Sequence, residues 1–227
     1  HLATHFEPYM REVYFKKSHE KNNYIVFFRG PISNRYLFKL YKNFISKNQK
    51  IISVPGYIFW KITSNLYKGI FSEIILEEIV VDDFYNDFHK NDCLFSIPDE
   101  DKNKGEKLLE SLRIPSDAKI ICVHNRDKLF LKKKFSDLNF SYHDFRDFSV
   151  NDMIPALNYF TEQGYYVIRF GAISEETLNV KNKKIIDYAN KNEKDGFGDI
   201  FFNSKCDFYF GSDSGAWNIS RLFRKPG

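Results

Sequence analysis

Phe208-Tyr-Phe-Gly211-Ser-Asp-Ser-Gly215-Ala-Trp-Asn-Ile-Ser-Arg-Leu-Phe-Arg-Lys-Pro226 reads as strand, tight turn, helix and stop. The aromatic run suits a buried strand. Gly211 and Gly215 let the backbone turn and approach a ligand, while Ser212, Asp213 and Ser214 offer N-cap chemistry. Unsatisfied N–H groups and the positive end of a helix dipole then face one point, an arrangement suited to phosphate. Taken alone, the stretch also fits an ordinary helix cap after a strand, so its meaning depends on what surrounds it.

Working back from that turn, the second half repeats one grammar. Lys119-Ile-Ile-Cys-Val-His124 and Tyr165-Tyr-Val-Ile-Arg-Phe170 are apolar strands, and Lys184-Ile-Ile-Asp187 is a shorter one. Val150 to Gln163 has the spacing of a long amphipathic helix closed by Gly164, and a helical stretch lies around Gly198 to Ser204. Repeated β-loop-α-β units imply a parallel sheet with helices on both faces. The first half alternates similarly: Phe6 to Phe15, a strand Asn23 to Phe28, an amphipathic run Arg35 to Ser46 and a strand Gln49 to Val54 ended by Pro55-Gly56. Apolar elements at Ile58 to Ile70 and Phe71 to Val81 follow. Ser96-Ile-Pro-Asp-Glu-Asp-Lys-Asn-Lys-Gly105 is polar, charged and punctuated by Pro98, and is expected to be the interdomain linker, with a short helix Glu106 to Leu112 after it. The expectation is an α/β chain of two lobes, 1–98 and 99–227.

Composition narrows the function classes. A chain of 227 residues can bury a substantial core. Its 24 Phe and 14 Tyr accompany abundant Lys, Asn and Ile, the composition of an AT-rich genome, so the aromatic excess carries little functional meaning. The formal charge is only +4, and the densest basic run, Lys132-Lys-Lys134, reads as a solvated loop rather than a nucleic-acid patch. Cys93, Cys122 and Cys206 are widely spaced and form neither a zinc pattern nor a disulfide framework. Apolar surroundings at Cys122 and Cys206 fit reduced thiols and a cytosolic setting. No apolar stretch reaches the roughly 18 residues of a membrane span. The chain starts at His1 and stops just after a helix, so truncation at both ends is expected.

Open parallel sheets bind ligands at the carboxyl ends of their strands. Those ends carry His124-Asn-Arg126-Asp127, Arg169-Phe-Gly171 and the Gly211 turn. Two arginines and a helix start converging on one edge would suit a diphosphate. A plainer alternative pairs Arg126 with Asp127 and Arg169 with a surface carboxylate. The loop Ser141-Tyr-His143-Asp144-Phe-Arg146-Asp147 offers stacking faces, hydrogen bonds and a proton acceptor for a sugar or nucleobase, or else is only a helix entrance capped by Ser149 and Asn151. Asp82-Asp83 lacks a third ligand at metal spacing and reads as surface loop. Gly196-Phe-Gly198 lacks the third glycine of a dinucleotide fingerprint, and neither a nucleophile elbow nor a Walker lysine is present.

Val-His124-Asn-Arg126-Asp127, Ser-Tyr-His-Asp-Phe-Arg146, Gly164-Tyr-Tyr-Val-Ile-Arg169-Phe-Gly171 and Gly211-Ser-Asp-Ser-Gly215, in that order, resemble a family of bacterial glycosyltransferases from surface-polysaccharide gene clusters. The resemblance covers 106–227 and is looser before that. Asp213-Ser-Gly215 with Pro226 is also similar to a segment of heptosyltransferase-like enzymes, and the His124 to Asp127 run to the phosphate-binding arginine motif of fucosyltransferase-like ones. The resemblance implies that the two lobes are the Rossmann-like domains of a GT-B fold that moves a sugar from a nucleotide-sugar co-substrate to a glycan or lipid-linked glycan, with no resident cofactor or tightly bound metal. It implies a cytoplasmic protein with at most peripheral association at the inner membrane face, and no nucleic-acid partner. Arg126, Ser212, Asp213, Ser214 and Gly215 are the expected phosphate ligands, with Arg146 and Arg169 in support. Asp127, His143 and Asp144 are the candidate bases, and no spacing rule chooses among them. The family often has Asn where this chain has Asp147. A non-catalytic nucleotide- or glycan-binding module of the same fold is the alternative function.

Overall fold

The computed structural model describes residues 92–227 except 95, 135–138, 140, 173, 192 and 193, together with Glu7, Met10, residues 24–28, 32–46 and 50–54. The expectations for Ile58 to Val81 and for Asp82-Asp83 lie outside the described residues. The chain separates into two compact units, His1–Phe95 and Ser96–Gly227.

In the first unit, β1 (Tyr24–Phe28) and β2 (Lys50–Val54) pair in parallel, from Tyr24 opposite Lys50 to Phe28 opposite Val54. Parallel neighbours need a crossover, and α1 (Arg35–Ser46) supplies it. Asn34 caps the helix by accepting the Leu37 N–H at 2.8 Å. Leu37, Leu40, Tyr41 and Ile45 recur at helical spacing and are buried, which gives α1 its inward face.

The second unit is an α/β layer structure. Its sheet contains β3 (Ile120–His124), β4 (Tyr166–Arg169), β5 (Ile185–Asp187) and β6 (Phe208–Gly211), all parallel, in the order β5-β4-β3-β6. The chain steps outward from β3 to β5 and then returns to the other side of β3. Strand order therefore reverses between β3 and β6, the place where open α/β sheets open a crevice for ligands.

Alternate residues of the strands point to opposite faces, and both faces are buried. On one, Ile121, Val123, Val167 and Ile185 meet Val150, Met153 and Leu157, with Phe160 edge-on to Phe208 and Phe210. Leu157 belongs to α4 (Ile154–Glu162), which follows α3 (Leu129–Lys134) and two 3-10 turns, Ser141–Arg146 and Val150–Met153. The expected single helix from Val150 thus begins as a 3-10 turn, with Pro155 in the first turn of α4 proper. On the other face, Ile120, Cys122, Ile168 and Tyr209 are buried beside α5 (Phe197–Lys205) and α6 (Trp217–Leu222), with Tyr209 against Trp217.

The segment expected to be a linker is mostly helix. Residues Asp99–Ser111 form α2, which begins at Pro98 and carries Asp99, Glu100 and Asp101 in its first turn, where negative charge suits the helix dipole. The charges that read as linker are the solvated face of this helix. Gly105 marks its contact side, since a Cβ there would meet the Phe201 ring at 2.1 Å. Glycine lets α2 lie flat on α5. Among the described residues no helix is long and apolar enough to cross a membrane.

Candidate functional site

The ends of β3 and β6 are tied together directly. His124 stands opposite Gly211 in register, the His124 carbonyl accepts the Ser212 N–H at 3.1 Å, and the Arg126 N–H donates to Ser212 Oγ at 2.8 Å. Gly211 has φ 153°, and any Cβ on it would stand 1.9 Å from the His124 oxygen. Only glycine fits that approach. Gly171, at φ 142°, abuts the His124 imidazole from the β4 side. His124 is therefore wedged between two glycines at the centre of the carboxyl edge. Its Nδ1 lies 3.0 Å from the Phe170 carbonyl, so the neutral ring donates from Nδ1 and keeps Nε2 as an acceptor. Burial pushes its pKa below the ordinary 6.5.

Arg126 pairs with Asp147, not with Asp127. The guanidinium NH1 donates to Asp147 Oδ1, and both side chains are nearly enclosed, at 11% and 12% exposure. Asp147 Oδ2 is buried and has no hydrogen-bond partner among the described residues. Arg146, next in sequence, lies 4.0 Å from the exposed carboxylate of Asp213. The loop that holds Arg146 and Asp147 is fixed to the strand end by Asn125, whose amide donates to the Phe148 carbonyl at 3.1 Å. The edge thus brings together Arg126, Arg146, Asp147, Ser212 and Asp213.

Arg169 is placed elsewhere, and its expected role as a phosphate ligand is corrected. It is 1% exposed. Its Nε and one NH2 hydrogen go to Asn125 Oδ1, NH1 reaches the Glu176 carbonyl at 2.7 Å and the Asp187 carboxylate at 3.3 Å, and NH2 also donates to Ser174. All five N–H donors of a guanidinium are thereby engaged. Arg169 is an internal strut that ties β4 to β5 and holds the 174–178 loop, with Asp187 also accepting from Leu178 N and Asn190. A strand-end arginine looks the same in sequence whether it turns outward or inward. The signal that separates the two is Asp187, at the matching strand end, with Asn125 as the second acceptor.

The expected bases fare differently. Asp127 spends both oxygens on structure: Oδ1 accepts the Leu129 N–H at 3.0 Å at the start of α3, and Oδ2 accepts the Glu175 N–H at 3.0 Å. Asp144 is joined to Lys128 at 2.7 Å on the surface. The side chain of His143 lies outside the described residues. In the turn, Ser214 Oγ accepts the Ala216 N–H at 3.2 Å and α6 starts only at Trp217. The Ser212 and Ala216 amides are thus occupied. A Cβ at Gly215 would meet nothing within 4 Å and the residue has no positive φ, so backbone geometry does not demand glycine there.

Around this edge, Tyr142 and Phe145 are exposed, and the Arg146 guanidinium lies 5.6 Å from the Phe145 ring centre. Among the described residues no three His, Cys, Asp or Glu side chains are grouped to hold a metal ion. No protein-family model, no curated protein and no solved structure matches this chain. The functional reading rests on the chemistry of the edge itself.

Proposed function

We propose that the protein is a nucleotide-sugar-dependent glycosyltransferase of GT-B type that extends a surface glycan from the cytoplasmic side, with the diphosphate of its donor held at the β3/β6 edge of the second unit. The observation that carries this reading is the tie between the two strand ends where strand order reverses: Ser212 bonded to His124 and Arg126, with Arg126 and Arg146 beside it. A nucleoside diphosphate leaves with added negative charge, and preorganised cations and N–H groups at that point lower the barrier. Arg126 and Arg146 supply the cations. The N–H groups of Asp213, Ser214 and Gly215 supply the turn's part, since Ser212 and Ala216 amides are taken. Exposed Tyr142 and Phe145 offer faces for the base or a sugar ring.

A second reading, a binding module that keeps the fold without turnover, is favoured by one observation: Asp127 and Asp144 are both committed to structural partners. One experiment addresses both readings. A ligand at about 100 times its dissociation constant raises stability by roughly 2.7 kcal/mol, so a panel of nucleoside diphosphates and nucleotide-sugars is screened by thermal shift. Stabilisation by one base series together with release of its diphosphate supports the transferase. Stabilisation without release supports a nucleotide-binding module, and no stabilisation by any nucleotide rejects both the transferase and that module.

A further inference from the structure

The Arg126–Asp147 pair leaves one carboxylate oxygen unanswered. Asp147 Oδ1 is taken by Arg126, while Oδ2 is buried and unpartnered among the described residues. A buried acceptor without a donor is costly, and native interiors rarely keep one without a reason. The charge of Asp147 is already balanced by Arg126 at contact distance, so Oδ2 calls for a neutral donor rather than a second cation. We infer that Asp147 Oδ2 accepts the hydrogen of a sugar hydroxyl on the ligand whose diphosphate Arg126 holds.

This inference rests on the transferase reading and names the part of the donor that the site recognises. In a nucleotide-sugar, both the ribose and the transferred sugar are linked directly to the diphosphate, so a hydroxyl of either ring comes within reach of the partner of a phosphate-binding arginine. Several features fix Asp147 for this task. Its backbone N–H donates to the Asp144 carbonyl at 2.9 Å, and its loop is anchored through Phe148 to Asn125, which Arg169 holds from beneath. Arg126 is pinned by its own N–H to Ser212. The carboxylate is therefore held in one place, which is the condition for selective recognition of a hydroxyl. An amide at this position would keep the oxygen for Arg126 and replace the unpartnered acceptor by a donor.

The test measures affinity of the whole protein by calorimetry for the best-binding nucleoside diphosphate, its ribose-deoxygenated analogues, its nucleotide-sugar and sugar-deoxygenated forms of the latter. Each is titrated into the wild type and Asp147→Asn. The wild type is expected to lose tenfold or more with one deoxygenated ligand. Asp147→Asn is expected to lose less than threefold with the same ligand, because the acceptor is already gone. The ring whose deoxygenation is felt identifies the source of the hydroxyl. Asp147→Asn retains the oxygen that meets Arg126, so folding is preserved, and the wild-type arm stands alone if it is not. Equal losses in both proteins, or no loss with any analogue while the parent nucleotide binds in an Arg126-dependent way, overturn the inference and leave the transferase reading standing. Absence of binding by every nucleotide overturns both.

Discussion

Gly211 lies so close to His124 that a methyl group on its α-carbon would come within 1.9 Å of the His124 carbonyl oxygen. This contact is what allows β3 and β6 to end side by side, and it separates the two glycines of the turn after β6. Gly211→Ala is expected to destabilise the second unit by about 2–4 kcal/mol, because the clash is with backbone and the φ of 153° is unfavourable to an L side chain. Gly215→Ala is expected to change stability by no more than about 0.5 kcal/mol, since its Cβ would enter open space. Urea unfolding of the two variants distinguishes them. Equal stability of both would mean that the strand ends do not meet as described.

Arg169 tests the difference between a ligand and a strut. Its removal would leave Asn125 Oδ1 without its donor and the Asp187 carboxylate without its cation, and breaking a buried pair in this way costs about 3–5 kcal/mol. Arg169→Met is expected to lose stability of that order. Arg169→Lys should recover little, because an ammonium cannot span acceptors set in several directions around a planar fork. A variant of normal stability with weakened nucleotide binding would return Arg169 to the ligand shell.

The parallel sheet of the second unit was readable because its strands are continuous apolar runs at regular intervals, each bounded by Gly, Pro or a polar cluster. Of the helix Asp99–Ser111 only the part from Glu106 was, because its apolar face is narrow: Gly105 and Leu109 are its buried residues, and its first turns are almost all charge. Sequence reasoning also placed the arginines at the carboxyl ends of parallel strands, since parallel polarity follows from βα alternation. It could not tell which one turns inward. That depends on acceptors supplied by residues 18 and 44 positions away, Asp187 and Asn125. Asp147 drew notice only as a departure from a pattern, because nothing local says that a loop aspartate will be enclosed with Arg126.

Acid and alkali should act on the fold through Asp199. This carboxyl sits in α5 with its Oδ1 3.4 Å from the Gly171 N–H, and burial raises its pKa from 3.8 to about 6 against the opposing influence of Lys194. The folded state therefore holds the proton more tightly than the unfolded chain. Its contribution is complete below pH 3.8 and fades as pH rises to about 6, leaving a deficit on the order of 3 kcal/mol above that, the equivalent of the gap in pKa. Asp199→Asn removes the titration. Its stability relative to wild type should rise between pH 4 and pH 6 and then level off. His124 works in the other direction, its depressed pKa withdrawing stability as pH falls below 6.5. The two are separated by the Asp199→Asn difference curve, and a flat curve would contradict the buried carboxyl.

The sequence alone points to Arg126→Ala as the simplest probe of phosphate binding, with little harm to the fold. The pairing with Asp147 changes that expectation. Removing the guanidinium strands a carboxylate that is about nine-tenths enclosed, so Arg126→Ala is expected to lose about 3 kcal/mol of stability as well as affinity. Loss of binding by this variant would then be ambiguous. Removing both charges resolves it, because replacing a buried pair by apolar groups of similar size is close to neutral for stability. Arg126→Met with Asp147→Leu is therefore expected to recover most of the lost stability in urea, while affinity for the nucleoside diphosphate stays at least 1.5 kcal/mol, or about tenfold, below wild type. Recovery of both stability and affinity in the double variant would mean that Arg126 serves only to neutralise Asp147 and that the diphosphate is held elsewhere on the edge.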